Sequence, residues 1–504
     1  MSTHTKKAIL RSISFGFLVI LAWNGVGLAH DLHEIPSNLK GKEKTNLTFL
    51  HGVIERMQTS SMVPAPESAD AVLIRTKEWQ WHRYLKHALN LPDWIDLGLE
   101  HRTRFEVYDH PWRSIQPLGR TDPQIQQRSR VRVGLNGGPF KFLFEGQDSR
   151  VHFSERSEFD FLNTSTRNEY DILQLFVSVT AKNVLGTGLR TDLHIGRLTM
   201  DFGRRRLISR NDFRNTTNAF DGVHWQLARD KTWRIRAFLV EPVIRDQVKL
   251  DEQSKRFVFW GTYVEANQVP WLRLNAYYFG LNDQRFSTLG LQRTHSTFGV
   301  RLYENPKKSR MDYEIESVWQ AGKLGNTDHF AHFQHVDLGY SFDLPWSPRF
   351  LIHYDYASGD RDPTDSQSSG FDPLFGARRF EYAATGNFGP FFRSNISSPG
   401  WRVIVVPGKG WKFQLKQRFW YLATSRGAFA GSGLRDDTGG SGNFLGHDLE
   451  VRVQWKVNAD LEFDASYDHW FKGSYFDRLP ASAGLPPGGN NDTDYFYILT
   501  KLRL

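Results

Sequence analysis

Asp448-Leu449-Glu450-Val451-Arg452-Val453-Gln454-Trp455-Lys456 changes character at every residue. Leu449, Val451, Val453 and Trp455 form one row, and Asp448, Glu450, Arg452, Gln454 and Lys456 form the other. A period of two residues is a β-strand with one apolar and one polar face, and here the polar face is charged. The pattern recurs: Phe463, Ala465 and Tyr467 alternate with Glu462, Asp464, Ser466 and Asp468. Val131, Val133 and Leu135 alternate with Arg128, Arg130 and Arg132, while Ile95, Leu97, Leu99 and Phe105 alternate with Asp96, Glu100, Arg102, Arg104 and Glu106. Similar segments lie near residues 140–149, 170–179, 189–197, 220–227, 233–240, 257–265, 271–279, 295–303, 311–320, 332–342, 350–358, 401–406, 411–421 and 495–504. Together they predict about eighteen strands, an even count of the kind used by single-chain bacterial barrels.

Alternation alone does not say which row faces out, because a large soluble sandwich alternates too. Three features favour a membrane barrel. The strands are ~10 residues long, enough for a tilted span. Aromatic residues make up 14% of the 504 residues (38 Phe, 16 Trp and 17 Tyr), although mean hydropathy is only −0.50; rings at two membrane interfaces account for such an excess. The last strand places Phe496, Ile498, Thr500, Leu502 and Leu504 on one face, with Tyr495 and Tyr497 beside them. That pattern resembles the C-terminal signature read by outer-membrane assembly machinery, except that it ends in Leu504 where Phe is usual.

Connections support the same architecture. Asn136-Gly137-Gly138-Pro139, Val269-Pro270 and Asn305-Pro306-Lys307-Lys308 read as tight turns, whereas residues 359–400 and 422–446 read as long Gly/Ser/Asp-rich loops. Short periplasmic turns and long external loops are the asymmetry of such barrels. No fixed repeat of 20–50 residues suggests a propeller, and no later segment approaches the ~18 apolar residues of a membrane helix. The absence of Cys excludes disulfides, thiolate zinc sites, Fe–S clusters and Cys nucleophiles.

Lys6, Lys7 and Arg11, the apolar run Ile13 to Trp23, and Gly27-Leu28-Ala29 read as a signal peptide spanning residues 1–29, cleaved to start the mature chain at His30. Losing its three cations would lower the net charge from +9 to +6. Export to the cell envelope argues against a nucleic-acid partner. Residues 30–90 are polar and contain Pro64, Pro66 and a short amphipathic stretch, Glu78 to Lys86; they read as a periplasmic extension. Residues 91–504 form the barrel.

Two stretches are more specific than periodicity. Ile195-Gly196-Arg197-Leu198-Thr199-Met200-Asp201-Phe202-Gly203, continued by Arg206-Leu207-Ile208-Ser209 and Phe220-Asp221-Gly222-Val223, resembles a segment of the alginate-export family of outer-membrane channels. Ala357-Ser358-Gly359-Asp360 with Phe371-Asp372-Pro373-Leu374-Phe375-Gly376 is similar to the same family. A third stretch, Leu445 to Glu450 leading to Asp468-His469-Trp470-Phe471-Lys472-Gly473, resembles its penultimate hairpin. The chain departs from the family at Leu198-Thr199, where Gln-Glu is usual, and in its N-terminal extension. The resemblance implies an eighteen-stranded outer-membrane barrel that carries an anionic exopolysaccharide outward through a basic constriction. It also implies outer-membrane lipid, the assembly machinery and a periplasmic export scaffold as partners.

The candidate substrate path is a set of inward cations: Arg102, Arg104, Arg128, Arg130, Arg132, Arg234, Arg236, Arg273, Lys412, Lys416, Arg418 and Arg452. Arg pairs bidentately with carboxylates, so rows of it suit a uronate polymer. Glu100, Glu450 and Asp464, with Asp96, Glu106, Glu145, Asp312, Glu314, Glu316 and Glu462, would hold those cations upright; the competing reading is a cross-braced wall. The basic run Gly203-Arg204-Arg205-Arg206 with Arg210 reads either as a loop meeting an anion or as a solvated turn. His329, His332 and His335 suit metal on a helix, but on a strand His332 and His335 face opposite ways, so no metal or other cofactor is expected. Asp360 to Asp365 has acidic spacing without the Gly and distal Glu of an EF-hand, and reads as a solvated loop. No Gly-x-Ser-x-Gly or other nucleophile–base set argues for catalysis. The expectation is a channel for an anionic poly- or oligosaccharide. The alternatives are a general anion-selective porin and a barrel enzyme or adhesion platform built on the two long loops.

Overall fold

The structure is a computed structural model describing residues 89–110, 112–113, 123–153, 163–229, 232–269, 271–285, 292–362, 364–384 and 388–504. The leader at 1–29 lies outside these residues, as does the extension at 30–90 apart from its last two positions.

The strands are β1 (Ile95–Tyr108), β2 (Gln124–Gly137), β3 (Phe140–His152), β4 (Asn168–Val184), β5 (Leu189–Leu198), β6 (Phe220–Arg229), β7 (Trp233–Ile244), β8 (Glu252–Gln253), β9 (Phe257–Val269), β10 (Leu272–Asp283), β11 (Arg293–Tyr303), β12 (Arg310–Leu324), β13 (Thr327–Ser341), β14 (Arg349–Ala357), β15 (Gln367–Ser368), β16 (Ile396–Gly408), β17 (Trp411–Tyr421), β18 (Phe444–Lys456), β19 (Leu461–Lys472) and β20 (Thr493–Arg503). The short β8 and β15 belong to loops, where they pair with β7 and β13. Every other strand pairs antiparallel with its neighbour along the chain, and β20 returns to β1, with Glu100 opposite Arg503 and Tyr108 opposite Tyr495. The result is a closed eighteen-stranded antiparallel barrel without an unpaired edge. Closure leaves no open sheet edge among the described strands, as lipid requires. Among the described residues, the α-helix α1 (Ser474–Arg478) sits in the last long loop.

Burial shows which row faces out. In β18, Val451 is 47% exposed while its neighbour Glu450 is fully buried. In β20, Phe496 and Ile498 are exposed and Tyr495 and Tyr497 are buried. A soluble sandwich would show the reverse. Apolar side chains outside and charges inside are what a lipid exterior and a polar bore select.

Short connections gather at one rim, and both ends of the barrel chain lie there. Gly138-Pro139 joins β2 to β3, and Lys409-Gly410 joins β16 to β17. Gly410 has φ +78°, and a Cβ there would lie 1.9 Å from the Lys456 carbonyl oxygen, so this turn needs glycine. Exposed Trp94, Phe140, Trp271 and Trp346, with Trp411 stacked on Trp455 at 4.8 Å, ring this rim as an aromatic girdle. Long loops occupy the other rim, apart from the Gly325-Asn326 turn between β12 and β13.

Several strands outrun the sequence reading. β13 begins at Thr327 rather than near His332, β16 at Ile396 rather than Trp401, and β4 reaches Val184. Apolar alternation fades where a strand leaves lipid, but ladder hydrogen bonding continues. A second difference concerns residues 359–400, read as an external loop. Phe371, Tyr382, Phe388, Phe391 and Arg393 are buried inside the barrel. Much of the aromatic excess is therefore internal: Phe391 stacks on Trp420 at 3.8 Å, and Phe202 packs among Phe238, Tyr263 and Phe279.

Candidate functional site

Two loops enter the bore from the long-loop rim. The first, residues 199–219, joins β5 to β6. Its apolar residues Met200, Phe202, Leu207 and Ile208 are buried against the wall and the second loop. Arg206 reaches one side of the bore, pairing with Glu314 at 2.5 Å and with Glu316, both on β12. Six residues later, Asp212 to Asn215 dock on β1, β2 and β3. Eighteen strands surround the bore, and β12 stands roughly opposite β1 and β2 in strand order. This loop therefore crosses it.

The docking chemistry there is unusual. Arg102 donates to the carbonyls of Asp212 (2.7 Å), Phe213 (3.1 Å) and Arg214 (3.0 Å) and to Oδ1 of Asn215 (2.8 Å). Arg104 donates to the Phe213 carbonyl at 2.6 Å, lies over the Phe213 ring and pairs with Glu106 at 3.0 Å. Arg128 contacts the Asp212 carboxylate at 2.9 Å and Glu100 at 3.1 Å, and Arg130 contacts the same two at 2.7 and 3.3 Å. Lys501 on β20 lies 3.3 Å from Asp212. Asn215 donates to the carbonyls of Gln127, Arg150 and Thr166. Burial alone would raise the Asp212 carboxyl, but Arg128, Lys501, Arg130 and Arg210 outweigh it and hold it well below the usual carboxylate range.

The second inner loop, residues 358–395, joins β14 to β16. Asp372 accepts from Arg293 at 2.6 Å, and Arg379 pairs with Glu450 at 2.6 Å. At its centre Glu381 receives both Arg206 and Arg393. Burial opposes its charge, yet Arg206 and Arg393 lower its pKa to about 2. The two loops also share backbone hydrogen bonds: Phe375 N–H donates to Leu207, Ser209 to Phe375, and Ala377 to Arg205. They form one body inside the barrel.

The remaining sequence-predicted cations divide among wall and loop. Arg234 pairs with Glu265, which also takes Arg236 at 3.0 Å; Arg236 donates to the Asp201 carbonyl as well. Lys416 pairs with Glu450 at 2.8 Å and donates to the Tyr382 carbonyl. Arg418 binds Asp355 and Ser398. Arg452 pairs with Asp464 at 2.5 Å. Arg132 is buried and engaged, Lys412 is half-buried and engaged, and half-buried Arg273 has no ion-pair partner among the described residues. Carboxylates were expected to hold these cations upright. Arg102 instead spends its donors on loop carbonyls.

Sequence reasoning missed Asp212, Arg379, Glu381, Arg393, Asp355 and Lys501. One signal was present: Phe371 to Arg393 carries aromatics and arginines at a density unsuited to a solvated loop. The basic run read as a loop or turn is the crossing segment, with Arg206 buried in it and Arg210 paired with Glu145 at 2.5 Å.

His329 and His335 are buried, while His332 stacks on Tyr356. Among the described residues, Glu314, His335 and Glu381 place ligand atoms within 4.8 Å of one another. Arg206 already pairs with both of those carboxylates, which leaves little for a cation. In the acidic loop, Asp362 accepts from the Thr364 N–H and hydroxyl, closing a local turn. No helix of the described residues is long and apolar enough to cross a membrane.

The profile of the alginate export family matches residues 93–484. Among solved structures, the barrel is similar to Pseudomonas aeruginosa OccK8 (OprE), at 12% identity over 81% of this chain and 98% of that one, with a TM-score of 0.52. It is similar to the outer membrane protein OpdK of Pseudomonas aeruginosa (12% identity, 81% and 99% covered, TM-score 0.52) and to Acinetobacter baumannii OccAB3 (12%, 81% and 99%, 0.52). At such identity the likeness is one of fold. No curated protein matches the chain.

Proposed function

The chain belongs to the alginate export family, and on that premise we propose that this outer-membrane barrel is a channel for an anionic poly- or oligosaccharide of the uronate class. The supporting observation is the cation-rich wall at mid-bore. Arg102, Arg104, Arg128 and Arg130 are fixed on β1 and β2, and Lys501 on β20 joins them. Guanidinium groups remain charged when buried and match carboxylates in shape. Such a patch attracts polyuronate and repels polycations. Outer-membrane lipid contacts the exposed apolar rows, and the outward row of β20 suits recognition by assembly machinery. A periplasmic export scaffold would engage the short-turn rim, where the barrel chain begins and ends.

The loops crossing the bore favour a second reading, a porin for small anionic solutes. Reconstitution in planar bilayers separates the two. Under a salt gradient the wild type should prefer anions, since a charged lumen is weakly screened when the Debye length is ~8 Å. Changing Arg128, Arg130 and Arg132 together to Glu should abolish or reverse that preference. Oligouronates should block more strongly as they lengthen, whereas a neutral dextran of similar size should not distinguish wild type from variant. Block that does not grow with length supports the small-solute porin. A cation-selective wild type overturns both readings.

A further inference from the structure

We propose that Asp212 is the resident anion of a carboxylate-binding site on the bore wall, and that a carboxylate of the transported anion binds by taking its place. The inference rests on the channel reading above. Its basis is an asymmetry between the partners. Arg128, Arg130 and Lys501 project from strands, and their side chains are 0%, 3% and 13% exposed. The Asp212 side chain, on the loop, is 37% exposed. The cations are held in place, while the anion they hold is open to the bore.

The second carboxylate of the cluster, Glu100, cannot serve as the exchangeable anion. It belongs to β1, is 5% exposed, and also faces Arg503 at 3.5 Å. Without Asp212, the wall would hold Arg128, Arg130 and Lys501 around Glu100, with Glu145 3.9 Å from Arg130 but already paired with Arg210. That is a surplus at one spot, with guanidinium forks already aimed at a carboxylate position. The site is pre-formed because its present occupant has organised it.

Exchange need not undock the loop. Arg102 and Arg104 hold backbone carbonyls, and Asn215 is tied to three more, on Gln127 and Arg150 of the wall and on Thr166. None of these bonds uses the Asp212 carboxylate. The side chain can swing toward the bore while the loop stays seated. Because Asp212 competes from within the same chain, its effective concentration is high, and wild-type affinity for a free carboxylate should be weak. Weak binding suits a channel, which must release what it captures.

The test is block of single-channel current by trigalacturonate, with maltotriose as the neutral control. Asp212→Asn should tighten trigalacturonate block at least tenfold and leave maltotriose unchanged. Lys501→Gln, which keeps Asp212 in place and removes a wall cation, should weaken block several-fold. Heat-modifiable migration of each variant verifies that the barrel is intact. If trigalacturonate blocks the wild type and Asp212→Asn blocks equally or less tightly, Asp212 is a brace and the inference is overturned while the channel reading stands. It is overturned in the same way if Asp212→Asn misfolds and Lys501→Gln leaves block unchanged. If trigalacturonate blocks neither wild type nor variant, the channel reading itself falls.

Discussion

The two inner loops are docked by different balances of charge. Where the first meets β1, β2 and β20, the wall supplies the cations and the loop supplies carbonyls and one partly exposed carboxylate. Around the second loop, Arg293 and Lys416 of the wall again reach Asp372 and the Tyr382 carbonyl, but Arg379 and Arg393 come from the loop itself, and the carboxylates Glu381 and Glu450 are buried. The first contact is a pre-formed anion site with a replaceable occupant. The second resembles the interior of a folded domain, where removing one partner strands another.

The largest effect should follow from attacking the second arrangement. Glu381→Gln leaves buried Arg393 with a neutral partner, while Arg206 keeps Glu314 and Glu316, and should cost about 3–5 kcal/mol in stability. Unfolding in detergent would measure it. Asp212→Asn, tested the same way, should cost clearly less, because its side chain is partly exposed and Arg128 and Arg130 both keep Glu100. Equal losses would erase the distinction between the two contacts.

A control on the barrel wall comes next. Val451→Arg places a charge against lipid and should cost roughly 2–4 kcal/mol. Gln454→Arg, on the lumen side of the same strand, should be tolerated. Equal penalties would mean that the wall does not separate lipid from bore as burial indicates.

The smallest effect concerns a third loop, which Arg197 on β5 holds by the Asp251 carbonyl. Asp251 in the 245–256 loop takes hydrogen bonds from the Asp246 N–H and from Asn168. Burial and the neighbouring Asp171 carboxylate raise its pKa to about 7, against the pull of Arg245. A carboxyl whose folded pKa exceeds its unfolded value near 4 favours the folded state fully below about pH 4 and loses that contribution as pH rises through about 7. Hydrogen exchange in this loop, corrected for intrinsic rate, should therefore quicken between pH 5 and pH 8. Unchanged or slower exchange would refute the protonated pair.

The strands were legible because lipid and bore impose a two-residue period, and all eighteen expected segments correspond to barrel strands. Face assignment was legible too: Val451 and Glu450 lie where alternation puts them. The inner loops were not. Glycines and aspartates in residues 359–400 suggest solvent, and nothing local reveals that Glu381 meets Arg206, which lies 175 residues away. Pairings across a bore depend on strand order and closure, whereas alternation is written in adjacent residues. Lys501 was missed for the same reason, since its partner Asp212 lies 289 residues earlier.

The position of Asp212 has a consequence for assembly. β1 and β20 lie at the two ends of the barrel sequence, so their ladder has the largest loop-closure cost and should form last. The first inner loop lies along the inside of that ladder, touching Arg102 on β1, Arg128 on β2 and Lys501 on β20. It can be fully seated only once the two ends have met, and once seated it resists their parting. The segment that crosses the bore is thus also the latch on the seam, and barrels lacking it should reopen there first.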